Sequence, residues 1–292
     1  MARLGTCGAV ILAAFGLAAC QSSGGVSGPM TESEQCWWVH TCFDVAKTAD
    51  QRAATIVLDY KGSYEPFAVQ VRTSVSGMDG TWLENETFFL QEPRQIPILD
   101  VKAGTTGSWD WRWSFSHHPG VQPAVHDDSV LYRLPYRDGE TYEVIQGYGG
   151  NTSHTGDNFY SIDWDMPVGT AVLAARDGIV VSARGESNRK GRGWDNHVII
   201  RHEDGTYAWY LHLQQDGVTV QHGQSVTAGS LIGYSGDTGF SSRAHLHFQV
   251  SALSAVPDKF YASFPTRFWT ADGEVAQLRK GGRYKGGTLP GA

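Results

Sequence analysis

The sequence predicts an all-β protein with a small N-terminal β-sandwich-like domain followed by a larger antiparallel β-sheet domain. Short runs of β-branched and aromatic residues recur along the chain, with Gly, Pro, Asn and Asp between them. From residue 130 onward there is almost no helical periodicity. The length of 292 residues exceeds that of one typical domain.

The N-terminal segment has the features of an export signal. Arg3 supplies a positive start, and an apolar run up to Ala19 is too short to span a bilayer. The run ends in Leu-Ala-Ala-Cys, which resembles the lipobox of bacterial lipoproteins. That resemblance implies a signal peptide over residues 1–19, cleavage before Cys20, and a lipid on Cys20 that anchors the protein to a membrane. An ordinary secretory peptide cut near Ala19 is the alternative.

The segment after the lipobox predicts location and redox state. Gln21 follows the cysteine, which in lipoprotein sorting implies an outer membrane, with the protein facing the periplasm. Residues 20–35 are predicted to form the lipidated end and a flexible tether. Cys36 and Cys42 are predicted to form a short-loop disulfide in this oxidising compartment. His40 between them would suit a small metal site instead, but no fourth ligand is evident.

Residues 36–116 are predicted to form the N-terminal domain. Its last run, "WDWRWSF", alternates aromatic and polar residues, which indicates a half-buried strand with an aromatic face. We interpret that face as the core of the small domain, because a small domain needs large side chains to fill it. A sugar-stacking platform is the alternative interpretation. Residues 117–129 are rich in Pro, Gly and His and are predicted to be a linker.

Residues 130–255 are predicted to form the second domain from short strands joined by glycine turns. Residues 256–292 are predicted to be an extension that ends in a loose, basic, glycine-rich tail. The formal net charge of −7 argues against a nucleic-acid partner, which would require a concentrated basic surface.

Histidines are concentrated in the second domain, where seven of the eleven lie between residues 154 and 247. Five segments occur in order: "GGNTSH", "YSIDWDMPVGTAVLAARDGIV", "NHVIIRHEDGTYAWYLHL", "GQSVTAGSLIGYSGDTG" and "AHLHF". Together they resemble the LytM/lysostaphin family of zinc metallopeptidases, which cut peptide bonds in bacterial peptidoglycan. The resemblance covers roughly residues 130–255. It implies a zinc-dependent endopeptidase with one zinc ion per chain, and peptidoglycan peptide stems as its partner.

Matching the family motifs residue by residue implies His154, Asp163 and His247 as the zinc ligands. Two imidazoles and one carboxylate leave the fourth tetrahedral position open, as in catalytic zinc sites. His212 and His245 are the other matched residues. They are expected to act on the metal-activated water and the substrate, with His245 as the base and His212 as the stabiliser of the transition state. On a strand, His245 and His247 would share one face.

The spacing of the first two ligands departs from the family pattern. The best-known members have His-x-x-x-Asp, whereas eight residues separate His154 from Asp163 here. Asp163 is preferred because "Ile-Asp-x-x-Met-Pro" matches the family's run through the ligand. Asp157 lies in the intervening loop, and Asp165 is the reserve candidate on the same expected strand face.

The remaining histidines receive structural interpretations. His197 and His202 are expected on a sheet strand, whereas His117 and His118 lie in the predicted linker and could occlude the metal. Two functional alternatives stay open beside the enzyme: a non-catalytic activator of cell-wall amidases and a wall-binding module with a structural zinc. A regulatory protein partner is not predicted by any motif.

Overall fold

The computed structural model describes four stretches of the chain: residues 30–37, 41–62, 65–104 and 107–290. The predicted signal peptide over 1–19 and the lipidation site at Cys20 lie outside the described residues. Within those stretches the chain forms β-strands and one 3-10 turn, Gly156–Asn158, so the predicted all-β fold class is confirmed. Within the same stretches no helix has the length and apolar character needed to cross a membrane.

The N-terminal region forms two sheets around one core. Its strands are β1 (Met30–Trp37), β2 (Thr41–Thr48), β3 (Ala53–Tyr60), β4 (Phe67–Ser76), β5 (Met78–Trp82), β6 (Asn85–Leu90), β7 (Arg94–Ala103) and β8 (Asp110–Pro119). One sheet has the order β1-β2-β3-β7-β5 and the other β6-β4-β8. Side chains from both sheets make up a shared hydrophobic core, which gives the region its sandwich-like arrangement.

Alternation along the strands builds this core. Ile56 and Leu58 on β3 face Val69 and Val71 on β4, and all four are fully buried. Burial of each such side chain contributes roughly 1.5–3 kcal/mol to stability. The aromatic residues of β8 pack against the same cluster, so their interpretation as core is confirmed. They are Trp111, Trp113 and Phe115.

The first strand begins earlier than the sequence suggests. β1 starts at Met30, whereas the tether was predicted to run to residue 35, and it pairs with β2 along its whole length. β1 is the outermost strand of its sheet and is held by backbone hydrogen bonds to β2, which do not require an apolar side-chain pattern. The polar run "MTESEQ" therefore does not indicate a strand in the sequence. Cys42 is disulfide-bonded and lies opposite Cys36 in the register. The side chain of Cys36 lies outside the described part of the chain, so that pairing stays a prediction.

The second region is built around one large sheet. Its strands are β9 (Leu131–Arg133), β10 (Thr141–Gln146), β11 (Ile162–Trp164), β12 (Ala171–Leu173), β13 (Gly178–Arg184), β14 (Asn196–Arg201), β15 (Tyr207–Val218), β16 (Ser225–Val226), β17 (Leu231–Ser235), β18 (Leu246–Leu253), β19 (Tyr261–Ser263), β20 (Arg267–Thr270), β21 (Gly273–Val275) and β22 (Arg283–Lys285). The main path of the 11-stranded sheet is β16-β13-β14-β15-β18-β11-β10-β22.

Strand β18 lies near the middle of this sheet, and all eight of its residues are buried. Leu246 and Phe248 point into the main core of the second region, as the strand alternation predicts. The alternate residues from His247 onward point to the opposite face. There His247 and Gln249 border a cavity, and Ser251 contacts the N-terminal region.

The C-terminal extension folds back on the second region, contrary to the prediction of a loose tail. β20 pairs in parallel with β9, and β22 pairs with β10. Phe268 on β20 is fully buried, with its ring 5.8 Å from that of Trp164 and 5.9 Å from that of Phe248. Burial of this apolar side chain helps to dock the extension, although its last residues are basic and glycine-rich.

The predicted linker begins inside a strand, because β8 continues to Pro119 and includes His117 and His118. His118 is fully buried, and its Nε2 lies 2.9 Å from the hydroxyl of Ser251 on β18. Nearby, the hydroxyl of Tyr207 donates a 2.8 Å hydrogen bond to Glu65. These contacts fix the N-terminal sandwich against the outer face of β15 and β18.

Candidate metal centre

Three neighbouring strands place polar side chains side by side. In the antiparallel register, Gln146 at the end of β10 lies opposite Asp163 on β11, and Asp163 lies opposite His247 on β18. Directly opposed residues in antiparallel strands point to the same face of the sheet. The register therefore brings Asp163 and His247 together, with 2.8 Å between Asp163 Oδ1 and His247 Nδ1.

His154 reaches the same place from the loop after β10. Its side chain is fully buried, and its Nδ1 lies 3.0 Å from the carbonyl oxygen of Gly147. If Nδ1–H donates to that carbonyl, Nε2 is left as an acceptor facing the cluster. Nε2 lies 3.1 Å from Asp163 Oδ1 but has no hydrogen-bond partner. A buried imidazole nitrogen that has no hydrogen-bond partner and lies beside a carboxylate is a candidate metal ligand.

The three side chains could together hold a divalent cation. One donor atom each from His154, Asp163 and His247 lie within 4.8 Å of one another. Burial alone would raise the pKa of Asp163, but the two imidazoles beside it lower it far below its usual range. The carboxylate is therefore ionised at neutral pH. Two imidazoles and an ionised carboxylate form a donor set that suits zinc.

A β-bulge positions His212 at this cluster. Leu211 pairs with His197 and Leu213 pairs with Asn196, so His212 is an extra residue on β15. Its φ of +65° lies in the left-handed region, which non-glycine residues adopt at a cost and often at functional sites. The carbonyl oxygen of Thr238 lies 2.9 Å from His212 Nδ1. Burial lowers the pKa of His212 to about 3, so its ring is neutral at pH 7.

His245 lies beside His212, with 4.6 Å between the two ring centroids. Its Nδ1 is 2.8 Å from the carbonyl oxygen of Arg243, and its Nε2 is 4.0 Å from Asp163 Oδ1. Burial lowers the pKa of His245, against the opposing effect of the Asp163 charge. Neutral imidazoles can accept a proton, which is the first requirement for a general base.

All five predicted site residues come together at one cavity of about 1050 Å³, and four of them line it. This volume is slightly above the usual range of about 300–1,000 Å³ for small-molecule sites. Residues 113–117 of β8 form one wall, so both halves of the molecule contribute to the cavity. Two loops form the rim. The first rim loop is residues 185–195, between β13 and β14, and the second is residues 236–245, between β17 and β18.

The alternative candidates lie elsewhere. Asp165 forms a 2.5 Å ion pair with Arg243, and Asp157 lies 4.0 Å from Lys259; neither belongs to the three-residue group. His117 lines the cavity, whereas His118 is buried at the contact between the two regions.

The structural interpretation of His197 and His202 agrees with their surroundings. Both are buried; a ring nitrogen of His197 lies 2.9 Å from the Ser182 hydroxyl, and one of His202 lies 2.7 Å from the Asp177 carbonyl oxygen. Burial lowers the pKa of each ring to about 4, which keeps both neutral at pH 7.

One contributor was not found from the sequence. The side-chain amide of Gln146 donates hydrogen bonds to Asp163 Oδ2, at 3.1 Å, and to the Ser153 hydroxyl, at 2.8 Å. It therefore orients the carboxylate of the candidate ligand. A polar residue at the end of β10, directly before the "GYGG" turn, was the signal that could have pointed to it.

Comparison with known proteins confirms the predicted resemblance for part of the chain. Residues 157–257 match the family model described as Peptidase family M23. The glycyl-glycine endopeptidase ALE-1 of Staphylococcus capitis is 44% identical over 110 residues, which are 37% of this chain and 29% of that protein. Lysostaphin of Staphylococcus simulans is 37% identical over 131 residues, or 44% of this chain and 24% of that protein.

A relative from a different bacterial genus also matches. The peptidoglycan DD-endopeptidase ShyA of Vibrio cholerae is 35% identical over 116 residues, which are 40% of this chain and 25% of that protein. The chain thus spans about a quarter of the length of these curated relatives. Among solved structures, the catalytic domain of lysostaphin from S. simulans matches at 31% identity and a TM-score of 0.30, covering 43% of this chain and 86% of that one.

Proposed function

We propose that the protein is a zinc-dependent endopeptidase that hydrolyses peptide cross-links of bacterial peptidoglycan. One observation carries the proposal: His154, Asp163 and His247 converge within 4.8 Å of one another, with two more neutral histidines at the same cavity. The match to the Peptidase family M23 and to relatives named as peptidoglycan or glycyl-glycine endopeptidases supports the substrate class.

The residues divide into a binding set and a reacting set. His154, Asp163 and His247 would hold the zinc ion, which supplies an activated water and polarises the scissile carbonyl. His245 is the proposed base, because its Nε2 faces the cluster while its Nδ1 is occupied by the Arg243 carbonyl. His212 is the proposed stabiliser, held rigidly by the bulge and by Thr238. Both rings are neutral at pH 7, so His245 is in the state in which it can accept a proton.

The alternatives are a non-catalytic activator of amidases and a wall-binding module with a structural zinc. A structural zinc is normally closed by four protein ligands, whereas the group found among the described residues has three. The histidines beside the group have no evident use in a protein that only binds. We therefore favour catalysis.

Metal analysis combined with digestion of purified peptidoglycan sacculi tests the proposal. We expect one zinc ion per chain and release of peptides from the cross-linked wall, with both lost after treatment with a chelator and regained on addition of zinc. Zinc binding without release of any peptide, on walls of differing cross-link chemistry, would contradict the enzyme and support the activator or the binding module.

We also propose that the mature protein is a lipoprotein, anchored through Cys20 at the outer membrane and facing the periplasm. What supports this is the Leu-Ala-Ala-Cys motif, the Gln21 that follows it, and the disulfide at Cys42, which suits an oxidising compartment. An anchored hydrolase would act on the wall nearest to that membrane.

Replacing Gln146 with alanine should weaken zinc binding without removing a ligand. The substitution deletes the hydrogen bond to Asp163 Oδ2, and loss of such supporting bonds typically costs about 10- to 100-fold in metal affinity. Competition with a chromophoric chelator measures the change. The matched control is Gln249→Ala: Gln249 lines the same cavity but bonds to Ser161. Equal affinities in both variants would show that Gln146 does not position the ligand.

A further inference from the structure

We propose that Arg192, on the first rim loop, binds a carboxylate of the peptide substrate and makes the protein selective for cross-links that carry a free carboxylate near the scissile bond. The inference rests on the proposed function and names a feature of its substrate. It comes from the position, the rigidity and the charge of the rim, which are separate from the metal-binding residues.

The two rim loops are tied together by backbone hydrogen bonds. The amide of Gly191 donates to the carbonyl of Gly239 at 2.9 Å, and the amide of Gly239 donates to the carbonyl of Arg189 at 2.8 Å. Gly239 has a φ of +71°, and a Cβ there would lie 2.6 Å from Asp195, so glycine is required at this contact. The residues at the tips of the loops are therefore held in defined places.

Arg192 is held by an aromatic ring on the other loop. Its guanidinium carbon lies 4.4 Å from the centroid of Phe240, whose side chain is exposed. A guanidinium attracted to the face of an aromatic ring keeps N–H groups that can donate to a ligand. The contact with the ring restricts the positions that the Arg192 side chain can take at the rim of the cavity.

The charges at the cavity single out Arg192. Three cationic side chains other than histidine line the cavity: Lys190, Arg192 and Arg243. Lys190 pairs with Asp237 and Arg243 pairs with Asp165, each at 2.5 Å. Within the described stretches, Arg192 has no carboxylate at ion-pair distance.

A peptide carboxylate is the ligand that this arrangement suits. A guanidinium binds a carboxylate through two parallel N–H···O bonds, and charge-assisted bonds of this kind are about twice as strong as neutral ones. The protein as a whole is negatively charged and would repel an acidic peptide at long range. Recognition of a carboxylate must therefore be local. Of the described cations that line the cavity, Arg192 is the one whose charge is not offset by a carboxylate.

Paired substrates test the inference. The probes are pairs of cross-linked peptides of one sequence. The two members of a pair differ at a single carboxylate, which is free in one and converted to the amide in the other. For at least one pair, we expect the zinc-loaded protein to cleave the free form with a kcat/KM at least about tenfold higher than that for the amidated form. Arg192→Gln should abolish this preference by lowering kcat/KM for the free form alone, and Arg192→Lys should restore part of it.

The matched control is Arg189→Gln. The guanidinium carbon of Arg189 also lies over an aromatic ring, 3.5 Å from the centroid of Trp194 on the first rim loop, but Arg189 does not line the cavity. This variant should keep the preference of the unmodified protein. Equal cleavage of free and amidated forms, or an equal loss on both in Arg192→Gln, would overturn the inference and leave the proposed function standing. Failure of the unmodified zinc-loaded protein to cleave either form would overturn the proposed function itself, and the inference with it.

Discussion

Replacing His247 with alanine is expected to abolish zinc binding and peptide hydrolysis together. His247 is one of three proposed ligands, and its Nδ1 lies 2.8 Å from Asp163. Two ligands hold zinc far more weakly than three, so the metal content should fall from one ion per chain to near zero. Loss of the metal removes several kcal/mol of transition-state stabilisation, which corresponds to roughly 10³-fold or more in rate. Elemental analysis and peptide release from sacculi measure the two effects.

The matched control is His197→Ala, which separates loss of the metal from loss of the fold. His197 and His247 are both buried on strands of the same sheet, but His197 bonds to Ser182 and does not line the cavity. Either substitution is expected to lower the melting temperature. Only His247→Ala should lose zinc. If a folded His247→Ala protein keeps its zinc and its activity, the assigned metal centre is wrong.

Replacing His245 or His212 should leave the metal in place and slow turnover. We expect His245→Gln and His212→Asn each to reduce kcat by about 10²- to 10⁴-fold, the usual contribution of a general acid or base. Asparagine is chosen at residue 212 because it tolerates the left-handed backbone found there. Zinc content measured beside the kinetics should stay at one ion per chain in both variants.

The variants at His245, His247 and His212 together test which histidine binds the metal and which takes part in the reaction. His245 and His247 lie two residues apart on one face, so either could in principle ligate the metal. If His245→Gln loses zinc while His247→Ala retains it, the two roles are exchanged. If His212→Asn turns over at the normal rate, His212 only packs against the site.

Local rules predicted much of the centre. The two-residue repeat of a strand places Leu246 and Phe248 in the core and His247 on the cavity face, as observed. The eight residues between His154 and Asp163 proved compatible with a cluster, because each end is held by its own contacts: the Gly147 carbonyl and the β11–β18 register.

Contacts between distant segments were not predictable from the sequence. Strand alternation gives no hint that a bulge turns His212 toward the cluster, because the bulge depends on how β15 pairs with β14. The position of Gln146 depends on pairing between β10 and β11 in the same way. Nor did the Pro- and His-containing run after "WDWRWSF" reveal that β8 continues through His118 and lines the cavity. Each of these features arises from pairing or packing between distant segments, and the local periodicity of the sequence carries no information about such contacts.

The register that joins β11 to β18 has a consequence for how this centre can change by mutation. Deleting or inserting one residue within either strand would turn the side chain of Asp163 or His247 into the core, because facing alternates at every position. Length changes in the first rim loop would leave those strands in place. Insertions and deletions should therefore be rare within the two strands. They should be tolerated better in the first rim loop, which carries none of the five proposed zinc-binding or catalytic residues, and there they would diversify what is cleaved.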